Sequence, residues 1–302
     1  VIPIDYDTDS MLRRIETIVQ LHLHRQHLQV MVDEQAKVLK HSNEMMVDAL
    51  SSIIEYRSSE SGQHVLRIRH FTKILLEEVQ RSCPEYQLTA ESISIIASAS
   101  ALHDVGKISI PDAILMKPGK LEPEEWETMK SHAVMGCHIL DSLSDIGNRE
   151  YLRYAHNICH YHHERWDGRG YPRGIRGDAI PICAQAVGMI DAFDALTTHR
   201  VYKDAFEYDT AINMILNGEC GLFSPKLLTC FKNVLSVMAS ASEANYEQKN
   251  GKLPDYIFSL ENQKNKNELS DAQIINSVLM HYSGATVIEI MPREQVWHLI
   301  FH

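Results

Sequence analysis

The chain has 302 residues, 44% of them apolar and 23% charged, and a formal net charge of −11. That balance describes a globular chain with a real core, and its sign excludes non-specific binding to long nucleic acid. It leaves room for a small phosphodiester ligand, which needs only a local cationic pocket.

The first segment, VIPIDYDTDSMLRRIETIVQ, offers Asp9 or Ser10 as the cap of a helix continuing through Leu12, Ile15 and Val19. It resembles the last strand and helix of a response-regulator receiver. Further on, Leu21, Leu28 and Ala49 share one heptad position and Met31, Val38 and Met45 another, with His24, Gln35, Ser42 and Ser52 interrupting. An imperfect seam suits a signalling helix and admits a homodimer. The alternative is a long helix packed on its own domain.

Residues 46–240 read as consecutive helices: HVLRIRHFTKILLEEV, SISIIASASALHDVGK, PEEWETMKSHAVMGCHILDSL, YLRYAHNICHYHH and AVGMIDAFDALTT all carry helical periodicity. Pro123 fits a first helical turn, and PDAILMKPGKLE and WDGRGYPRGIRGDAIP read as loops. From about 241 the sequence turns polar, then gives a short helix, DAQIINSVLMHY, and two strand-like runs, ATVIEIM and QVWHLIF. That ending resembles the opening of a PAS-type sensor. The expected organisation is an N-terminal helical linker (1–45), a mainly α bundle (46–240) and a linker with a small C-terminal α/β segment (241–302). No apolar run spans a bilayer and no signal peptide opens the sequence, so the expectation is a cytoplasmic protein with no membrane partner. The six cysteines include no CxxC pair, which favours reduced thiols over disulfides or a zinc ribbon.

The polar residues at predicted helix ends and faces are Glu60, His64, His103, Asp104, His132, His162, His163 and Asp191. Imidazole with carboxylate, and no thiolate, suits Fe, Mn or Zn better than Mg or Ca. Glu60 and His64 lie one turn apart on a helix, and helical bundles hold di-metal sites of this kind in their cores. His22, His24, His27 and His160 read as solvated or structural. Trp126 and Trp166 read as packing residues, and Asp194 as support for Asp191 or Arg200.

HDVGKISIPDAILMKPGKLEPEEW, then His132, then HHERWDGRGYP, then DAFDALTTHRVYK resembles the HD-GYP family of HD metal-dependent phosphohydrolases, from about Ser51 to Phe231. The resemblance implies an HD-type bundle that hydrolyses cyclic di-GMP to pGpG or GMP, through hydroxide activated by two or three divalent ions, Fe or Mn. It implies metal ligation by His64, His103, Asp104 (the bridge), His132, His162, His163 and Asp191, with Glu60 on a third ion. It implies that Lys107 stands beside the metals and that Arg200 and Lys203 clamp the ligand's phosphates. Gly170, Tyr171 and Pro172 are the naming triplet. Gly168 and Gly170 allow close backbone approach, and Tyr171 offers a face for a guanine. Ser58, Gln185, Val201 and Ser224 depart from the family's usual Asp, Arg, Pro and Asp without removing a ligand. Another cyclic dinucleotide as substrate, or a catalytically inactive sensing or docking module, remains the alternative.

Overall fold

A computed structural model describes residues 8–58, 62–143, 148–198 and 205–248. Ten α-helices lie among the described residues: α1 (Thr8–Arg57), α2 (Gly62–Ser82), α3 (Ala90–Ala99), α4 (Asp112–Leu115), α5 (Pro123–Lys130), α6 (His132–Ser142), α7 (Arg149–Tyr161), α8 (Ile182–Thr197), α9 (Tyr208–Leu216) and α10 (Pro225–Gln248). Among the described residues there is no β-strand. The expected strand-like runs at the C-terminus lie outside them, and the boundary expected at about 241 falls inside α10. The described residues fall into two compact units, divided after Met46. In the first, α1 exposes Leu12, Ile15, Val19, Leu21, Leu28, Met31 and Val38 to solvent. No helix among the described residues is long and apolar enough to cross a membrane.

The second unit is a bundle built around α2 and α8. On α2, Val65, Ile68, Phe71, Leu75, Leu76 and Val79 recur at three- and four-residue steps and are all buried, so one face of the helix is core. α8 is buried all round from Cys183 to Ile190, which makes it the central helix. α2 packs on α3, α8 and α10, and α7 packs on α3, α6 and α8. Ile68, Leu75, Ile96, Ile158, Met189, Phe193 and Phe231 meet in one core, each contributing about 1.5–3 kcal/mol by burial.

Local sequence sets the helix ends. Thr89 and Ser92 cap α3 reciprocally, Asn148 accepts from the Glu150 and Tyr151 amides at α7, and Pro123 stands in the first turn of α5 as expected. α1 begins at Thr8, so Asp9 lies within its first turn instead of capping it. The single helix expected over 92–107 is broken. α3 stops at Ala99, and 3₁₀ turns occupy Ser100–Leu102 and Val105–Ser109. His103–Asp104 therefore sits in a tight turn between them, not along a helix. The helix expected over 123–143 divides at Ser131 into α5 and α6.

Two glycines bring these pieces together. A Cβ on Gly106 would stand 1.9 Å from the His132 carbonyl oxygen, and one on Gly188 would stand 2.0 Å from that of His162. Both positions put bare backbone against the chain that bears a candidate ligand. Gly188→Ala is therefore expected to cost about 1–3 kcal/mol in chemical denaturation. A change within about 0.5 kcal/mol, the range of an ordinary surface substitution, would mean that α8 and the end of α7 are not in contact.

Candidate metal centre

Four histidines reach one buried region from four parts of the fold: His64 from α2, His103 from the turn after α3, His132 from the start of α6 and His162 from the end of α7. In each, Nδ1 is committed to an acceptor. His103 Nδ1 donates to Ser100 O at 2.9 Å, His132 Nδ1 to Met129 O at 2.8 Å and His162 Nδ1 to Ile158 O at 3.0 Å. His64 Nδ1 donates to Asp194 Oδ2 at 2.7 Å. A carbonyl or carboxylate oxygen can only accept, so these bonds fix the proton on Nδ1 and turn the Nε2 lone pairs inward.

Inward lies Asp104. Its Oδ1 stands 3.1 Å from His132 Nε2 and 3.6 Å from His162 Nε2. Its Oδ2 stands 3.3 Å from His103 Nε2 and 2.8 Å from Lys107 Nζ. His64 and His103 oppose their Nε2 atoms at 3.5 Å, with Asp191 Oδ1 at 3.8 and 4.0 Å from them. His163 joins the Asp104–His132–His162 group and stacks on Tyr171 at 4.6 Å between ring centroids.

The decisive feature is that Asp104 Oδ1, His132 Nε2 and His162 Nε2 are buried and have no hydrogen-bond partner among the described residues. Buried polar atoms are ordinarily paired. Three acceptors turned on one another are the donor set of a cation. The electrostatics agree. Burial alone would raise the Asp104 pKa, but Lys107, His103 and His132 hold its carboxyl well below the usual range. Burial lowers the His162 and His163 pKa values, leaving neutral imidazoles. At His103 burial opposes charge, yet Asp104, Asp191 and Glu55 raise its pKa to about 10, so the field there favours a cation. These nitrogen and oxygen donors fit a divalent metal.

Other expected residues fall in different relations. Glu60, Arg200, Lys203 and Val201 lie outside the described residues. The expected support of Arg200 by Asp194 concerns a residue outside the described ones. Asp194 holds His64 and takes two bonds from Arg67, at 2.5 and 2.9 Å. Its i,i+3 spacing from Asp191 correctly marks a shared helix face, but the partner is chosen by α2 packing across. Gly170 has its own chain as neighbour, since a Cβ would meet Arg165 N at 2.4 Å and His163 O at 2.5 Å. Trp126 is 46% exposed and meets Tyr171 edge to face, so it packs at the rim of a cleft and not in the core.

Sequence reasoning missed Glu55, buried and 3.2 Å from Lys107 Nζ. An acidic residue next to Ile53 and Ile54, on the buried side of a helix, was the available signal. It also missed Glu164, whose Oε1 accepts from the Arg173 and Gly174 amides and shapes the glycine loop. Two of the departures find local partners, Ser58 Oγ donating to Glu55 O and Gln185 Nε2 to Ile180 O. Beside His163 and Tyr171 opens a cleft of about 590 Å³ lined by Trp126, Lys130, Arg165 and Arg169 among others. Its cations suit an anionic ligand of small-molecule size.

An α-helical bundle carrying a buried histidine–carboxylate centre on an His–Asp turn is the HD type of fold. Residues 44–226 match the HD domain family, and the chain belongs to that family. It is 37% identical over 207 residues to a probable cyclic di-GMP phosphodiesterase of Vibrio cholerae, covering 65% of this chain and 47% of that protein. A cyclic di-GMP phosphodiesterase of Thermotoga maritima is 37% identical over 186 residues, or 62% of this chain and 48% of its own length. A 3′3′-cGAMP-specific phosphodiesterase 2 of Vibrio cholerae is 36% identical over 203 residues, 67% of this chain and 36% of its own. The chain thus spans less than half the length of these relatives.

Asp194→Asn is expected to weaken metal binding about 10–100-fold, the usual effect of losing a carboxylate that orients a ligating histidine. Thr198→Val, which removes only a hydroxyl bonded to Arg67, serves as the matched control. Equal metal affinity in the two proteins, measured by titration, would mean that Asp194 does not orient a ligand.

Proposed function

We propose that this chain is a metal-dependent phosphodiesterase that hydrolyses cyclic di-GMP to pGpG or GMP. The observation that carries the reading is the convergence of unpartnered, buried Asp104 Oδ1, His132 Nε2 and His162 Nε2 beside Lys107. The cationic cleft and the names of the relatives support it. Two divalent ions, iron or manganese, fit the donors: one set of His64, His103, Asp104 and Asp191, another of Asp104, His132, His162 and His163, with Asp104 shared. Glu60 is the proposed ligand of a third. Such ions, when bound, supply acidified water and neutralise charge on phosphoryl oxygens.

The chain's own groups do the rest. Lys107 Nζ, held between Glu55 and Asp104, neutralises a non-bridging phosphate oxygen as charge builds. Lys130, Arg165 and Arg169 bind the remaining phosphate, with Arg200 and Lys203 as further clamps. Arg165 is pre-set for this, because its Nε and Nη1 donate to the Cys220, His162 and Glu164 carbonyls. Tyr171 stacks on His163 and so fixes the loop beside that ligand, while Trp126 supplies an open aromatic face for a base. A second substrate reading, a 3′3′ cyclic GMP–AMP dinucleotide, is favoured by the names of three relatives. The domain organisation proposed is a helical linker to residue 45, the catalytic bundle to about 240 with α10 running on to Gln248, and a separate C-terminal segment. The apolar side chains exposed along α1 support pairing with a second copy.

Protein loaded anaerobically with Fe(II) or Mn(II) is expected to convert cyclic di-GMP to pGpG or GMP, followed by chromatography. His103→Ala with Asp104→Ala should abolish turnover, and Lys107→Ala should lower kcat about 10²–10³-fold. Full metal content with no turnover of any cyclic dinucleotide would replace this reading by a sensing or docking module. For the dimer, Leu21→Glu with Leu28→Glu is expected to halve the mass seen by light scattering. An unchanged mass would place any self-association elsewhere.

A further inference from the structure

A second group of donors lies between α6 and α7, outside the centre described above. Cys137 and Asp141 stand one turn apart on α6, and His156 and His160 one turn apart on α7. Residues four apart share a helix face, so each helix offers two donors to the other. Ligand atoms of Cys137, His156 and His160 all lie within 4.8 Å of one another. Cys137 Sγ is 3.2 Å from His160 Nδ1, and His156 Nε2 is 3.7 Å from Asp141 Oδ1. With Zn–S near 2.3 Å and Zn–N near 2.0–2.1 Å, donors around one tetrahedral ion stand roughly 3.3–3.6 Å apart. The Cys137–His160 separation is close to one edge of such a tetrahedron, and Asp141, outside the three-donor group, stands within reach of His156.

We propose that Cys137, His156 and His160, with Asp141 at the outer edge, form a second metal site suited to Zn(II) and structural in role. The donor chemistry separates it from the first centre. A thiolate with two imidazoles favours zinc over iron and manganese, whereas the Asp104 cluster offers only nitrogen and oxygen. One thiolate and one carboxylate exactly offset the charge of the ion, which limits the cost of burying it. The thiol lies at the buried inner end, and the Asp141 side chain, 65% exposed, lies at the outer end, so an ion can enter from solvent. His160 Nε2 has no hydrogen-bond partner among the described residues, so no second bond locks that ring, and either of its nitrogens can face the ion after a χ2 turn. The ion would clamp α6 to α7, the two helices that carry His132 and His162.

Cobalt(II) is the probe, because a thiolate ligand gives it a sulfur-to-metal charge-transfer band that the sulfur-free Asp104 cluster cannot produce. The full chain titrated anaerobically with Co(II) is expected to show that band, to lose it on adding one equivalent of Zn(II), and to show none in Cys137→Ser. His156→Ala removes a partly exposed side chain, so it tests the site without disturbing the core, and it should also lose the band. The Asp104→Asn protein should keep it. Absence of the band in the folded chain, or its persistence in Cys137→Ser or His156→Ala, overturns the assignment.

Discussion

The structure is organised by one electrostatic constraint: an ionised carboxylate, Asp104, is buried among imidazoles whose lone pairs all face it. Removing a carboxylate from water costs several kcal/mol, and Lys107 answers only at Oδ2. Oδ1 is left against His132 and His162, which present acceptors to an acceptor. That arrangement holds because each ring is latched by its other nitrogen to a backbone carbonyl one turn earlier in the chain, Met129 at the end of α5 for His132 and Ile158 of α7 for His162. The bundle thus spends packing and hydrogen bonds to keep a cation socket in shape, instead of letting the rings turn and pair with the carboxylate.

Keeping that shape explains the surrounding backbone. The 3₁₀ turns either side of His103–Asp104 tighten the chain so that two consecutive side chains reach the same region. Along a regular helix they would diverge by about 100°. Gly106 then lets this turn lie on the start of α6, and Gly188 lets α8 lie on the end of α7. Ligands held by elements in backbone contact have little freedom to drift, which is what a centre of fixed geometry requires. Asp194 extends the same logic, since Arg67 fixes the carboxylate that fixes His64.

Much of this was legible in the sequence, and the unread part has a physical pattern. Helical periodicity identified the bundle because α2 and α7 keep apolar and polar faces apart. The residue types at His64, His103–Asp104, His132, His162–His163 and Asp191 announced metal chemistry because buried imidazole with carboxylate has few other uses. What stayed hidden were matters of tertiary partnership. The apolar run SISIIASASAL continues past Ala99 without a Gly or Pro, so nothing in it marks the 3₁₀ break. Asp194 lies on the correct face, but only the packing of α2 shows that it meets His64 and Arg67. Trp126 carries the apolar character of a core residue and yet borders the cleft, because α5 presents no buried face. Gly170, read as room for a ligand, is first of all room for its own loop.

The partition of donors between the two clusters bears on which metals the chain can hold. Nitrogen and oxygen sites bind zinc more tightly than iron or manganese along the first-row divalent series, so a centre such as that around Asp104 cannot reject zinc by affinity alone. The neighbouring thiolate site discriminates more strongly, because zinc gains more over iron and manganese where sulfur is a ligand. On the proposed assignment, α6 and α7 each carry a donor pair for zinc in their interior and a nitrogen donor for the buried centre at one end. Zinc retained by Cys137, His156 and His160 would fix the spacing of His132 and His162. The same two helices then carry two sites of different metal preference, through the difference between a sulfur and an oxygen ligand.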